Sequence, residues 1–464
     1  MKAAWLPVLL CAACGAPEPL PVEPLPLAPP GPVEAEPQRN GDPVLGRQAL
    51  LETGYVGCGL PEEIYRYLGN AAPRGPPLPG RDGRNTHLPF FYTAMTSSRG
   101  VPVITANCLY CHGEDLAGTV TIGLGRISAD FTVDLGRQAQ GMGALVWEPN
   151  ARADWQHWSS RVGAVMRHAR TRVVGTNPGD AIAAAVFAHR DPLTLAWMGE
   201  PQFELAEFPA AVDVPPLWNT RFKNALFHPA AGRGDHARIM MTASLMCTES
   251  VAEARALDAQ FPHVRAYLQT LRPPPWPRDL NLGAVSRGRA IFRRDCVACH
   301  GTHDPTDTAF PNLVVALEEV GTDAALITAD QFSPASRRWF SSSFMGETSR
   351  LEPAAGYLAP PLFGIWASAP YLHNGSVPTL QGVLHSPSRP KYWRSSRRLS
   401  DYDDDEVGLK HETLKHGHSG EPIPSRRAQI YDTTLPTHGN GGHTFGDVLT
   451  QRQRMDLLEY LKTL

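Results

Sequence analysis

The chain has 464 residues, of which 42% are apolar and 19% charged, with a formal net charge of −3. That length supports two or three cores, and the composition excludes a fibrous or wholly disordered chain. The near-neutral balance gives no general attraction for nucleic acid or an anionic membrane surface.

In chain order, residues 1–14 (MKAAWLPVLLCAAC) carry one early lysine, a short apolar run and small residues before Cys14. This predicts a secretory signal of lipoprotein type with Cys14 as the lipidated residue, although Cys11 stands where such signals usually have leucine. Residues 15–40 are rich in proline and glutamate and predict an extended tether without a core. The expected location is the periplasm or the bacterial cell surface, with a lipid anchor.

Of the eight cysteines, four form two copies of one pattern, Cys108-x-x-Cys111-His112 and Cys296-x-x-Cys299-His300, each followed by glycine. Chance alone predicts about 0.005 copies in a chain of this composition. A zinc site would need a second pair within about 15–20 residues, whereas these motifs start at residues 108 and 296. Two haem c groups therefore fit best: paired thiols bond to the porphyrin vinyls, and the adjacent histidine, His112 or His300, reaches the iron. Cys58 and Cys247 are left over, and an oxidising compartment favours a disulfide between them, with two buried thiols as the alternative.

The stretch Arg272-Pro-Pro-Pro-Trp-Pro277 interrupts any helix or central strand and predicts a boundary between an N-terminal haem domain (41–272) and a C-terminal cytochrome c domain (278–464). Helices are expected at about 155–172, 180–189 and 236–270. A further helix at 284–295 places Val285, Gly288, Ile291 and Phe292 on one face. The last, at 448–463, lines up Leu449, Met455, Leu458 and Leu461. The fold class is mainly α, two cytochrome c-type haem domains with long loops and few short strands. The acidic run Asp401–Glu406 reads as a solvated loop rather than a calcium site.

Residues alone leave the sixth ligand of the second iron open between Met345, His443 and other histidines of this half (His373, His411, His416, His418, His438). For the first iron no distal ligand stands out, and residues 214–241 are the expected pocket wall. His228 and His236 in that wall are candidates for acid–base work on an O–O bond.

PPLFGIWASAPYLHNGSVPTLQGVL (360–384) resembles the hallmark segment of the di-haem cytochrome c peroxidase and MauG superfamily. FPNLVVALEEVGTD (310–323), YDTTLPTHGNGGHTFG (431–446) and the long spacing between motifs are similar to the rubber-oxygenase, RoxA-like branch. The pair Gly288/Phe292 resembles the glycine–aromatic pair of small cytochromes c. The resemblance implies that His443 completes a bis-histidine second haem. It also implies that Trp218 passes electrons between the haems and that Phe227 covers the open face of the first iron. The reading is an exported di-haem oxidoreductase. One haem (Cys108, Cys111, His112) would react with a small oxidant, peroxide or dioxygen. The other (Cys296, Cys299, His300, His443) would transfer electrons, with an organic substrate or electron donor left unidentified. A plain di-haem electron carrier is the alternative.

Overall fold

The computed structural model of the chain describes residues 25–69, 75–304 and 308–464. The expected signal, with Cys11 and Cys14, lies outside the described residues, and among these no helix is long and apolar enough to cross a membrane. Helices predominate, and the strands are two to five residues long in sheets of two or three.

The helix Pro149–Met166 starts where Glu148 accepts from the Ala151 N–H and proline supplies the first turn, an N-terminal position at which its missing donor costs nothing. Gly179–Ala188 is almost wholly buried, its alanines allowing close approach from all sides. The region 236–270 is not one helix. It breaks into His236–Met240, Val251–Asp258 and Phe261–Leu268, each of the latter two restarted by its own cap or early proline.

In the C-terminal half, Leu282–Asp295 and Gln451–Leu461 cross as the glycine–aromatic pattern predicts. A Cβ on Gly288 would stand 2.0 Å from the Asp456 carbonyl oxygen, so only glycine permits this crossing. Phe292 packs on Tyr460 at 5.3 Å between ring centres. The last helix opens with a capping box between Thr450 and Gln453. Its buried face differs from the expected one. Met455 is 57% exposed, and Leu457, Leu458, Tyr460 and Leu461 point inward, because the stripe is set by the contact with Gly288.

Two other expectations change. The segment from residue 25 to 40 is no free tether: Gly31–Pro32 pairs antiparallel with Leu313–Ala316, and Val33 is buried. Arg39 donates to both Asp235 and Asp258, and Glu36 pairs with Arg350. Its charges serve as clamps that strap it to the body. The proline segment likewise does not separate two cores. Trp339, Phe340, Phe344 and Met345 pack into the N-terminal core. Leu124, Ile127, Val173 and Trp218 enter the C-terminal one. Gly232–Gly234 also pairs with Ser349–Leu351 across the divide. Cys58 and Cys247 form a disulfide with Cα atoms 5.8 Å apart, within the usual range.

Candidate haem sites

The first motif follows the hairpin Tyr92–Thr96/Pro102–Ala106, which ends at Asn107. The Asn107 amide donates to the Phe90 carbonyl (3.1 Å) and to the Thr93 hydroxyl (3.0 Å), while its oxygen accepts from the Leu109 N–H. This starts the single turn Leu109–His112 at a fixed position. The Tyr55 hydroxyl lies 2.8 Å from the Cys108 sulfur and accepts from the Cys108 N–H, also at 2.8 Å. Cys108, Cys111 and His112 all open onto a cavity of about 800 Å³. Burial pushes the His112 imidazole down to about 4, against the pull of the Pro215 carbonyl. It is thus neutral at physiological pH, the form that binds a metal.

The second motif forms the turn Val297–His300 at the end of the Leu282–Asp295 helix. His300 Nδ1 lies 2.9 Å from the Pro360 carbonyl, which leaves Nε2 for iron. His443 faces it with ring centres 6.2 Å apart. Two metal–imidazole bonds of about 2 Å, plus about 1 Å from each nitrogen to its ring centre, give roughly that separation.

His443 is held there by backbone geometry. It has φ 44°, and the preceding Gly442, φ 74°, lies so close to Gly321 that a Cβ would come within 2.2 Å of that carbonyl carbon. The His443 N–H donates to the Val320 carbonyl (2.6 Å). Arg389 donates to the carbonyls of Asn440, Gly442 and His443, fixing the loop from inside. Burial, with the neighbouring His300 and Arg389 adding to it, pushes His443 down to about 4. Both sites therefore fit a haem, by the chemistry of their donors and by the space or spacing around them.

The remaining candidates fall in different places. Met345 is fully buried in the N-terminal core, a cluster distinct from those that Cys296 and Cys299 pack against. His373 stacks on Tyr357 at 4.2 Å, and His438 Nδ1 lies 2.8 Å from the Pro436 carbonyl. His411 packs edge-on to Trp393. Phe227, with φ 68°, lines the first cavity and meets Phe332 at 5.4 Å. His228 lines it too, its Nε2 3.0 Å from the Asp213 carbonyl. His236 does not belong with them. It opens the helix His236–Met240, its N–H donates to Gln38 of the strap, and its neighbours are Arg265, Asp235 and Glu36. The acidic run forms a tight turn in which Asp403 accepts from the N–H groups of Asp405 and Glu406, and Asp404 pairs with Arg278.

Trp218 is fully buried and donates from Nε1 to the Phe363 carbonyl (2.7 Å). Its ring packs against Gly123 and Gly364, where any side chain would crowd it. The Gly123 N–H donates to the His112 carbonyl and the Leu217 N–H to the Gly123 carbonyl, both at 2.8 Å. On the other side, three residues lead from Phe363 to Pro360, the His300 partner. Hydrogen bonds and backbone therefore link the two motif histidines through Trp218.

Groups that sequence reasoning passed over complete the first cavity. Lys223 lines it, burial pushing its amine down to about 8. Asp180 and Gln331 share another wall. The one signal for Asp180 was an acid in the otherwise apolar run DAIAAAVFA.

Residues 356–394 match the family described as RoxA-like, cytochrome c-like. A cytochrome c-like domain holds haem c covalently, and the match includes Pro360, Phe363 and Arg389. Two uncharacterised proteins of Sinorhizobium fredii (strain NBRC 101917 / NGR234), y4iM and y4iJ, are each 28% identical to the chain. They align over 300 and 263 residues, 56% and 42% of this chain. The chain thereby spans 66% and 41% of their lengths, under two thirds of each. A solved structure of Kuenenia stuttgartiensis hydrazine synthase, pressurised with xenon, covers 64% of this chain and 91% of its own. At 16% identity and a TM-score of 0.26, it carries no argument on fold or activity.

Proposed function

We propose that the protein is an exported di-haem c-type oxidoreductase in which the Cys108–His112 haem reacts with peroxide or dioxygen and the Cys296–His300 haem delivers electrons. The observation that carries this reading is the asymmetry of the two histidines. His300 has a second imidazole at the distance of a shared metal, whereas His112 opens onto about 800 Å³ of cavity. An iron with two strong protein ligands exchanges electrons, and one with an open position binds small oxidants.

In this mechanism His112 and His300 would hold the irons; the Pro360 carbonyl orients the His300 ring through Nδ1, and the Pro215 carbonyl acts on the His112 imidazole. His443 would close the second iron to exogenous ligands, and the Trp218 link would carry electrons toward the first. Phe227 keeps water from one side of the first cavity. The bound haem supplies the redox chemistry, while the chain supplies orientation, exclusion of water and protons. A periplasmic or surface location with a lipid at Cys14 belongs to the same proposal.

The electron-carrier reading draws support from Met142, Met166, Met240, Met246 and Lys223 in the cavity wall, any of which offers a ligand atom in kind. Spectroscopy of the purified holoprotein separates the two. A high-spin ferric signal from one haem that changes on adding peroxide, or dioxygen after reduction, supports the enzyme. Two low-spin haems inert to both overturn it.

A further inference from the structure

The strip 360–363 lies on the link between the two motif histidines, and its backbone oxygens are shared out to both sides. The Pro360 carbonyl accepts from His300 Nδ1 (2.9 Å), and the Phe363 carbonyl accepts from Trp218 Nε1 (2.7 Å). Asn219 Nδ2 donates to the Pro361 carbonyl (3.0 Å) and to the Phe363 carbonyl (3.2 Å). Proline has no N–H, so the first backbone donor of the strip is Leu362. That N–H donates to His303 Nε2 at 2.9 Å. A nitrogen that accepts carries no proton, so the ring is neutral with its proton on Nδ1. His303 is buried among Phe292, Phe310 and Phe363, at 5.5, 5.2 and 4.8 Å between ring centres. An imidazole enclosed by aromatic rings loses hydration that its hydrogen bonds must offset, and this one bonds to the strip.

Building on the electron-delivering second haem proposed above, we infer that His303 is a positioning residue of that haem. By holding the Leu362 N–H it fixes the strip, and through the strip it fixes the His300 ring and the Trp218 ring together. The Pro360 carbonyl, accepting from Nδ1–H, makes Nε2 of His300 a stronger donor, and a stronger donor favours ferric over ferrous iron. His303 thus keeps the reduction potential of the second haem low, which drives its electron toward the first, and keeps Trp218 seated on the path. Without the ring, the part-buried Leu362 N–H would lose its acceptor. That loss is costly, so the strip would shift to find another partner. The Pro360 and Phe363 carbonyls would move with it.

The test uses the holoprotein with two variants. His303→Leu keeps the bulk and removes the acceptor, and His303→Gln offers an amide oxygen that reaches as far as Nε2. In His303→Leu, redox titration of the second haem is expected to show a shift of about tenfold toward the reduced form, about 59 mV for one electron. Electron redistribution between the haems after flash photoreduction should slow in the same variant. The first haem should keep its potential, and His303→Gln should return both readouts most of the way to wild type. If His303→Leu does not fold, His303→Asn takes its place, polar but too short to reach Leu362. An unmoved potential with a lowered denaturant midpoint marks a role in packing alone and overturns the assignment. A shift in His303→Gln as large as that in His303→Leu overturns it too. A wild type inert to peroxide and dioxygen overturns the functional proposal alone, since the potential is read without either.

Discussion

The two haem motifs have the same local chemistry and are built in different ways. The second is made from neighbours in one plan: a helix ends in the motif, the last helix crosses it at Gly288, and Arg389 pins the loop that presents His443. The first is assembled from afar. Tyr55 reaches Cys108, the disulfide joins residues 189 positions apart, and a strap from residues 25–40 clamps Asp235 and Asp258. A site with its sixth ligand built in can be local and rigid. A site that keeps a cavity must draw its walls from many segments, since each wall needs support of its own.

The sharpest way to break the comparison is at the cysteines. Cys108→Ser with Cys111→Ser should leave one covalent haem per chain instead of two, read from the pyridine haemochrome and mass. Two haems retained would remove the premise. Next in size, His443→Ala should turn one low-spin haem high-spin and make the second iron reactive to peroxide, so that the two sites become alike. An unchanged spectrum would hand the ligand role to another residue.

Smaller effects concern how each site is held. Cys58→Ser with Cys247→Ser should lower stability by about 2–5 kcal/mol, measured by denaturant unfolding, and disturb the spectrum of the first haem alone. Gly288→Ala should cost about 1–3 kcal/mol and disturb the second haem alone, because the crossing with Asp456 must open. Arg39→Ala should cost about 1 kcal/mol, since Arg39 is partly exposed and Arg238 still pairs with Asp258. Hydrogen bonds from Arg39 and Arg238 hold the Asp258 carboxyl below its ordinary value of 3.8, against the opposing effect of burial. Its contribution is therefore complete above that value and is lost as pH falls through the lower folded value. Proteolytic release of the strap should accordingly begin only in strong acid, and an unchanged strap at low pH would argue that packing of Val33 dominates.

Legibility in the sequence followed the range of the contacts. The motifs, the helix Leu282–Asp295 and the interhelical glycine are written in short windows and could be read there. The buried stripe of the last helix was misplaced at Met455, since amphipathic spacing alone does not say which of two adjacent stripes meets a partner. The strap looked like a tether because its anchors, Asp235, Asp258 and Leu313–Ala316, lie some 200–300 residues away. His236 looked catalytic because it falls in residues 214–241, the expected pocket wall. The strap and Arg265 occupy its surroundings instead. Asp180 escaped notice because the groups around it, Gln331 and Asp330, lie 151 and 150 positions away.

The strap also sets how far the body could stand from a bilayer. Arg337 donates to the carbonyls of Leu25 and Pro26, so the chain is already fastened to the body at that point. A lipid on Cys14 would then leave 11 residues of leash, from 14 to 25. At full stretch that spans about 40 Å. A leash counted to residue 40 would be more than twice as long. A molecule anchored in that way would work close against its membrane, and its redox partners would have to reach it within that layer.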